Sequence, residues 1–180
     1  MKQRIAMIGT RELHEMDQDI VACYGYLAEV VSRLGHVVVS GLATGFDQRA
    51  MSIAAGNRGD IIAVSPWASY EREFLKTIQD MTRVTVLTYN AARFPEWKQS
   101  VARYHPKPGA LTRGAFALHA RNYGIIDNAD AVIAVPSPQG GGTMQGVRIA
   151  TELGKPLFNL TDVDQRTTAM KYIEGLGHAG

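Results

Sequence analysis

Three short glycine-bearing segments hold the residues of this chain best suited to gripping an anion: Gly9-Thr10-Arg11, Gly41-Leu42-Ala43-Thr44-Gly45 and Gly140-Gly141-Gly142-Thr143. The chemistry they suggest is phosphate binding. Glycine allows close backbone approach and positive φ. Where such a loop runs into a helix, the free N–H groups and the helix dipole favour a negative group. The hydroxyl of Thr143 is placed either to cap the helix that follows or to bond a phosphate oxygen. A glycine-rich turn between strand and helix is also plain turn chemistry, so the weight falls on all three loops meeting at one edge. None of them fits GxxxxGK[ST] or GxGxxG, which sets the chain apart from P-loop ATPases and NAD enzymes.

Charged residues near these loops extend the pattern. Asp47 lies just inside the helix after the second loop, placed for a ribose hydroxyl, for an N-cap donor, or simply to complement the dipole. Arg11 has Glu12, Glu15 and Asp17 close in sequence and either pairs with them or reaches a phosphate across the sheet edge. Arg121-Asn122 offers a forked guanidinium contact to phosphate and an amide contact to backbone or base; the plain alternative is a solvated helix face. Arg148 reads as a surface residue. Between Asn90 and Asn122 there are six basic residues, Arg93, Lys98, Arg103, Lys107, Arg113 and Arg121, against one acidic residue, Glu96. In a chain of net charge +2 such a stretch is either a polyanion track or a solvated surface.

The elements that must position these residues follow from periodicity. Apolar runs at Lys2–Ile8, His36–Ser40, Asp60–Val64, Arg83–Thr88, Ala131–Val135 and Leu157–Leu160 read as strands. Helical spacing or capping places helices after Asp17, from Phe46 to Ala55, after Ser69, from Pro95, from Gly114 to Ile126, from Met144 to Leu153, and after Asp162 or Asp164. Alternating buried strands and amphipathic helices predict an α/β fold: a three-layer Rossmann-like arrangement with a mostly parallel sheet of about six strands and helices on both faces. Ligands in such folds sit at the carboxyl ends of the strands, where all three glycine loops fall. The expectation is a single domain over residues 1–180, with a core at about 4–160 and a frayed glycine-rich tail after Ile173. Charged residues make up 20% of the 180, and no run of about 18 apolar residues exists, so no membrane span is expected. One cysteine, Cys23, leaves no internal disulfide and no cysteine-rich metal site. The composition and the short apolar run at the N-terminus point to the cytoplasm, with no metal and no cofactor.

These motifs carry a resemblance. SGLATGFDQRA (Ser40–Ala50) is similar to the SGxAxGxDxxA motif of the SLOG superfamily of Rossmann-like proteins, which includes the DNA-processing protein A (DprA/Smf) family and the Lonely-guy (LOG) nucleotide hydrolases. IGTREL (Ile8–Leu13) resembles the first-loop GxR motif of that group. FALHARNYGIIDNADAVIAV (Phe116–Val135) resembles the DprA pattern of Arg-Asn ahead of an apolar strand, and GGGTMQGVRIATELGKPLF (Gly140–Phe158) its final glycine loop, helix and strand. The resemblance spans about residues 4 to 160. It implies a binder of single-stranded DNA that works as a homodimer or higher homo-oligomer and hands DNA to a recombinase. Carried over, the pocket positions are Arg11, Ser40, Gly41, Gly45, Asp47, Arg121, Asn122, Gly140, Gly141, Gly142 and Thr143. The additional helical and winged-helix domains of many DprA proteins have no counterpart in these motifs.

Two other functions remain open at this stage. One is a SLOG module that binds or sequesters a nucleotide-derived small molecule. The other is LOG-type hydrolysis of a nucleoside monophosphate. The LOG motif PGGxGTxxE places a catalytic glutamate where this chain has Gly146, and Glu152 stands too far along the helix to substitute. A binder without catalysis is therefore expected, with bases stacking on Tyr104, Phe116, Tyr123 or Trp97 if the ligand is a nucleic acid.

Overall fold

The computed structural model describes residues 1–179. In chain order it contains β1 (Arg4–Gly9), α1 (Gln18–Arg33), β2 (Val37–Ser40), α2 (Phe46–Gly56), β3 (Asp60–Ser65), α3 (Arg72–Gln79), β4 (Val84–Thr88), α4 (Pro95–Tyr104), α5 (Arg113–Asp127), β5 (Ala131–Val135), α6 (Gly142–Glu152), β6 (Leu157–Asn159) and α7 (Val163–Gly175). The strands form one sheet in the order β4-β3-β2-β1-β5-β6, every neighbouring pair parallel. This is the three-layer α/β fold expected from the sequence.

Strand side chains alternate between two cores, as a pleat of period two requires. Ile5 and Met7 of β1, and Ala131, Ile133 and Val135 of β5, face one core with α1, α2 and α7. Ala6, Ile8, Val132 and Ala134 face the other with α4, α5 and α6. The central strands are apolar on both sides because both sides are covered. Trp97 of α4 lies in the second core, stacked on Phe94 with ring centroids 4.1 Å apart. It fits there because α5 has a glycine beneath it: a Cβ on Gly124 would sit 2.4 Å from the indole. Gly124→Ala should therefore cost about 1–3 kcal/mol by overpacking, read as a lowered urea midpoint with unchanged m-value.

Element ends follow local chemistry. Asp17 caps α1 by accepting from Asp19 N, Thr112 caps α5 from Ala115 N, and Asp162 caps α7 from Asp164 N. Gly35 and Gly154 follow α1 and α6 at φ 81° and 64°. Two local expectations do not hold. Ser69 does not cap α3; that helix starts after Glu71, which is left-handed at φ 49° because its loop is tied down elsewhere. The tail expected to fray instead returns to the end of α1. Ala179 N donates to Leu34 O at 2.8 Å, and Gly177 O lies 3.0 Å from His36 Nε2. Among the described residues no helix is long and apolar enough to cross a membrane.

Candidate functional site

The chain leaves β1 on one side of the sheet to build β2, β3 and β4, then returns to place β5 on the other side. The reversal falls between β1 and β5, and there the carboxyl ends of the strands open a cleft. Its volume is about 370 Å³. Its wall includes Gly9, Thr10 and Arg11 after β1, Ala43 and Asp47 after β2, His119, Arg121 and Asn122 from α5, and Gly140 to Thr143 ahead of α6. The three loops singled out in the sequence thus meet at one edge, but they do different jobs.

The loop after β5 is the open one. Gly140 and Gly141 have φ of 88° and 102°, and a Cβ at either would meet nothing within 4 Å. No side chain caps α6. The first helical bond comes from Gln145 N to Gly141 O, leaving the N–H groups of Gly142, Thr143 and Met144 unpartnered among the described residues. Thr143 does not act as a cap; the residue at that place is Gly141.

The loop after β2 is closed by packing. Gly41 and Leu42 are buried, and Leu42 is held at φ 67° with its side chain wholly in the first core, so only its backbone is turned toward the edge. Ser40 is buried too, its hydroxyl donating to Met7 O at 2.5 Å across to β1. A Cβ on Gly45 would lie 2.6 Å from Thr10 O, and one on Gly9 would lie 2.4 Å from Phe46 Cβ. These glycines let the first two loops interlock. The start of α2 is spent in the same way, Phe46 N donating to Thr10 O and Gln48 N to Ala43 O.

Asp47 is the clasp between those loops. Its carboxylate accepts from Gly9 N at 3.3 Å and from Gly41 N at 3.2 Å, and it stands 3.6 Å from the Arg121 guanidinium. Arg121 in turn donates to Gly41 O at 2.7 Å. Both are almost fully buried, with 5% and 4% exposure. Burial pushes the Asp47 carboxyl above its ordinary range, opposed by the Arg121 charge and the N–H groups of Gly9, Gly41 and Ala43. Burial likewise lowers Arg121, opposed by Asp47. The two side chains form a buried ion pair in the wall of the cleft, so Arg121 does not stand on a solvated helix face. The close fit explains Gly41 as well, since a Cβ there would overlap Arg121 Nη1 at 1.4 Å.

Arg11 behaves differently. It is exposed and forms no ion pair with Glu12, Glu15 or Asp17; its one side-chain hydrogen bond among the described residues runs from Nη2 to Tyr70 Oη at 3.4 Å. It lies in the wall of the cleft as a cation with no ion-pair partner among the described residues. Asn122 Nδ2 donates to Gln145 Oε1 at 2.9 Å and only marginally to Gly142 O at 3.5 Å, so it braces the start of α6. His119, which the sequence reading left unassigned, also touches Gln145 Oε1, at 2.7 Å.

The members of the basic stretch differ in their surroundings. Arg93, Lys98, Lys107 and Arg113 are exposed, with Arg93 over the Phe94 ring and Arg113 at the start of α5. Arg103 is paired with Glu152 at the far end of α6, roughly 15 Å from its first turn at 1.5 Å per residue. The aromatics expected to stack on bases are also committed elsewhere. Trp97 is buried, and Tyr104, Phe116 and Tyr123 are half-buried against the second core. The sequence reading overlooked Trp67 and Tyr70, which follow β3 at the cleft edge; an aromatic next to Pro66 in a post-strand loop was the available signal.

A parallel three-layer sheet whose glycine loops meet at the reversal of strand order defines a Rossmann-like protein with a cleft at the switch point. The family model for DNA recombination-mediator protein A matches residues 1–173, and the chain belongs to that family. Among solved structures it is similar to DNA processing protein A from Streptococcus pneumoniae, at 20% identity and a TM-score of 0.64. The match covers 98% of this chain but 57% of that one, so the chain spans little more than half of that protein's length. It is also similar to DNA processing protein A from Helicobacter pylori, a protein with a described single-stranded DNA binding mode, at 23% identity and a TM-score of 0.64 over 97% of this chain and 80% of that one. A molybdenum cofactor carrier protein from Chlamydomonas reinhardtii shares the fold at 17% identity and a TM-score of 0.52, over 88% of this chain and 76% of that one. At these identities the likeness establishes the fold. No curated protein matches the sequence.

Proposed function

We propose that this protein binds single-stranded DNA in DNA processing or recombination, holding the phosphate backbone over the glycine loops without catalysis. The observation that carries the reading is the pairing of the uncapped start of α6 with the free Arg11 across one cleft. Unpartnered N–H groups and an unpaired guanidinium suit a phosphate oxygen whatever base is attached. The family supports DNA as the polyanion. Gly146 is buried against Ile8 and Ile126, so no carboxylate occupies the position a LOG-type hydrolase would use. Assembly into a homodimer and transfer of DNA to a recombinase belong to the same proposal.

Binding of a thymidine oligonucleotide should weaken linearly in log–log form with added salt, the slope being about −0.7 for each phosphate neutralised on a single strand. Arg11→Ala should flatten that slope by about 0.7 and weaken binding at low salt. Filter binding or fluorescence anisotropy between low and physiological salt reads both quantities. Undetectable binding at low salt would overturn the proposal.

The cleft volume favours one alternative. About 370 Å³ lies within the range of small-molecule sites, so a mononucleotide or other nucleotide-derived ligand would fit. A large thermal shift with mono- or cyclic nucleotides, with no response to oligonucleotides, would select this reading instead.

A further inference from the structure

We infer that Trp67 and Tyr70 form a nucleobase-stacking platform beside the cleft, which takes a base of the strand whose phosphates pass Arg11. The inference rests on the nucleic-acid reading above. Trp67 is 38% exposed although indole is costly to leave in water, whereas the other tryptophan, Trp97, is 1% exposed. The exposed ring is not on a loose loop. Trp67 O accepts from Ser65 Oγ at 2.6 Å and from Tyr70 N at 3.1 Å, and Glu71 is tied to Gln48 of α2 at 3.1 Å. Trp67 and Tyr70 meet edge to face with ring centroids 5.1 Å apart.

The surroundings argue for the occupant. On one side Tyr70 Oη accepts from Arg11, and the Arg121 guanidinium lies 5.8 Å from the Tyr70 ring centroid. On the other side the indole borders Gly114, next to the exposed Arg113 at the start of α5. A rigid aromatic surface flanked by two exposed arginines matches a ligand that is flat and apolar in one part and anionic in the next. A nucleotide within a strand has that construction. Because every base presents a π face, the platform tolerates any sequence.

Three measurements test this together. Thymidine oligonucleotide should quench the fluorescence of Trp67, the exposed member of the two tryptophans, and Trp67→Phe should abolish the quench while retaining most of the affinity. Trp67→Ala, checked for an unchanged melting temperature, should bind about 10-fold more weakly. The unaltered protein should bind an abasic oligonucleotide of equal length more weakly by a similar factor, a comparison that needs no substitution. Equal affinity for base-bearing and abasic strands, or Trp67→Ala within twofold of the parent with no quench in the parent, would overturn the platform and leave DNA binding standing. Failure of the unaltered protein to bind either strand would overturn the nucleic-acid reading itself, and the platform with it.

Discussion

Replacing Asp47 with asparagine is expected to lower folding stability by about 3–5 kcal/mol, the usual cost of removing one partner of a buried ion pair. Two effects combine. Asp47 Oδ1 accepts from Gly9 N and Oδ2 from Gly41 N, and an amide would turn its NH2 toward one of those donors. Arg121 would also keep its charge while facing neutral neighbours, Gly41 O and the Tyr70 ring. Since domains are stable by about 5–15 kcal/mol, the variant should melt far below the parent. Urea titration gives the magnitude. The double variant Asp47→Asn with Arg121→Met removes both charges and should cost less than the sum of the single substitutions, by roughly 0.5–3 kcal/mol. Additive costs would show that the two side chains act independently.

The second large effect is expected at Gly146. Installing the glutamate that a LOG-type hydrolase carries should cost about 1–3 kcal/mol by overpacking. A Cβ there would lie 2.7 Å from Ile8 Cδ1, the tip of a side chain on central strand β1 that must shift to admit it. Gly56→Ala is the matched control: that glycine is helical, faces open space and should be neutral or slightly stabilising. Calorimetry of the two variants decides the matter. A Gly146→Glu protein as stable as the parent would mean that the α6–β1 contact yields easily.

The sheet and most helices were legible because each carries its own signal. The apolar run Ala131–Val135 needed only β-branched density to be read as β5, and Pro95, Asp17 and Gly35 marked helix ends by local chemistry. The site was legible only as a set of loops. The role of Arg121 depends on a carbonyl 80 residues away, so no window on α5 separates a buried arginine from a solvated one. The start of α3 was misplaced for a similar reason: Glu71, left-handed at φ 49°, holds a hydrogen bond from Gln48 of α2 that its own neighbours do not announce. The glycines looked alike in sequence, yet Gly41 and Gly45 make room for Arg121 and the first loop, while Gly140 and Gly141 face empty space.

That division among the glycines bears on the kinetics of ligand capture. Asp47 fixes the loops after β1 and β2 to each other, so under the proposed function they would meet a strand as a finished template with little freedom left to lose. The segment ahead of α6 is fastened more lightly, by the turn from Gly140 N to Ser137 O at 3.0 Å, by Gln139 N to Ser137 Oγ at 3.2 Å and by the marginal brace from Asn122, and bears the ordering that remains. Encounter with the rigid half should then proceed at an ordinary docking rate, near 10⁵–10⁷ M⁻¹s⁻¹, without waiting for a rearrangement. Substitutions at Gly140 or Gly141 should act chiefly on residence time, because they alter how the last loop settles around the phosphate proposed to sit at the start of α6.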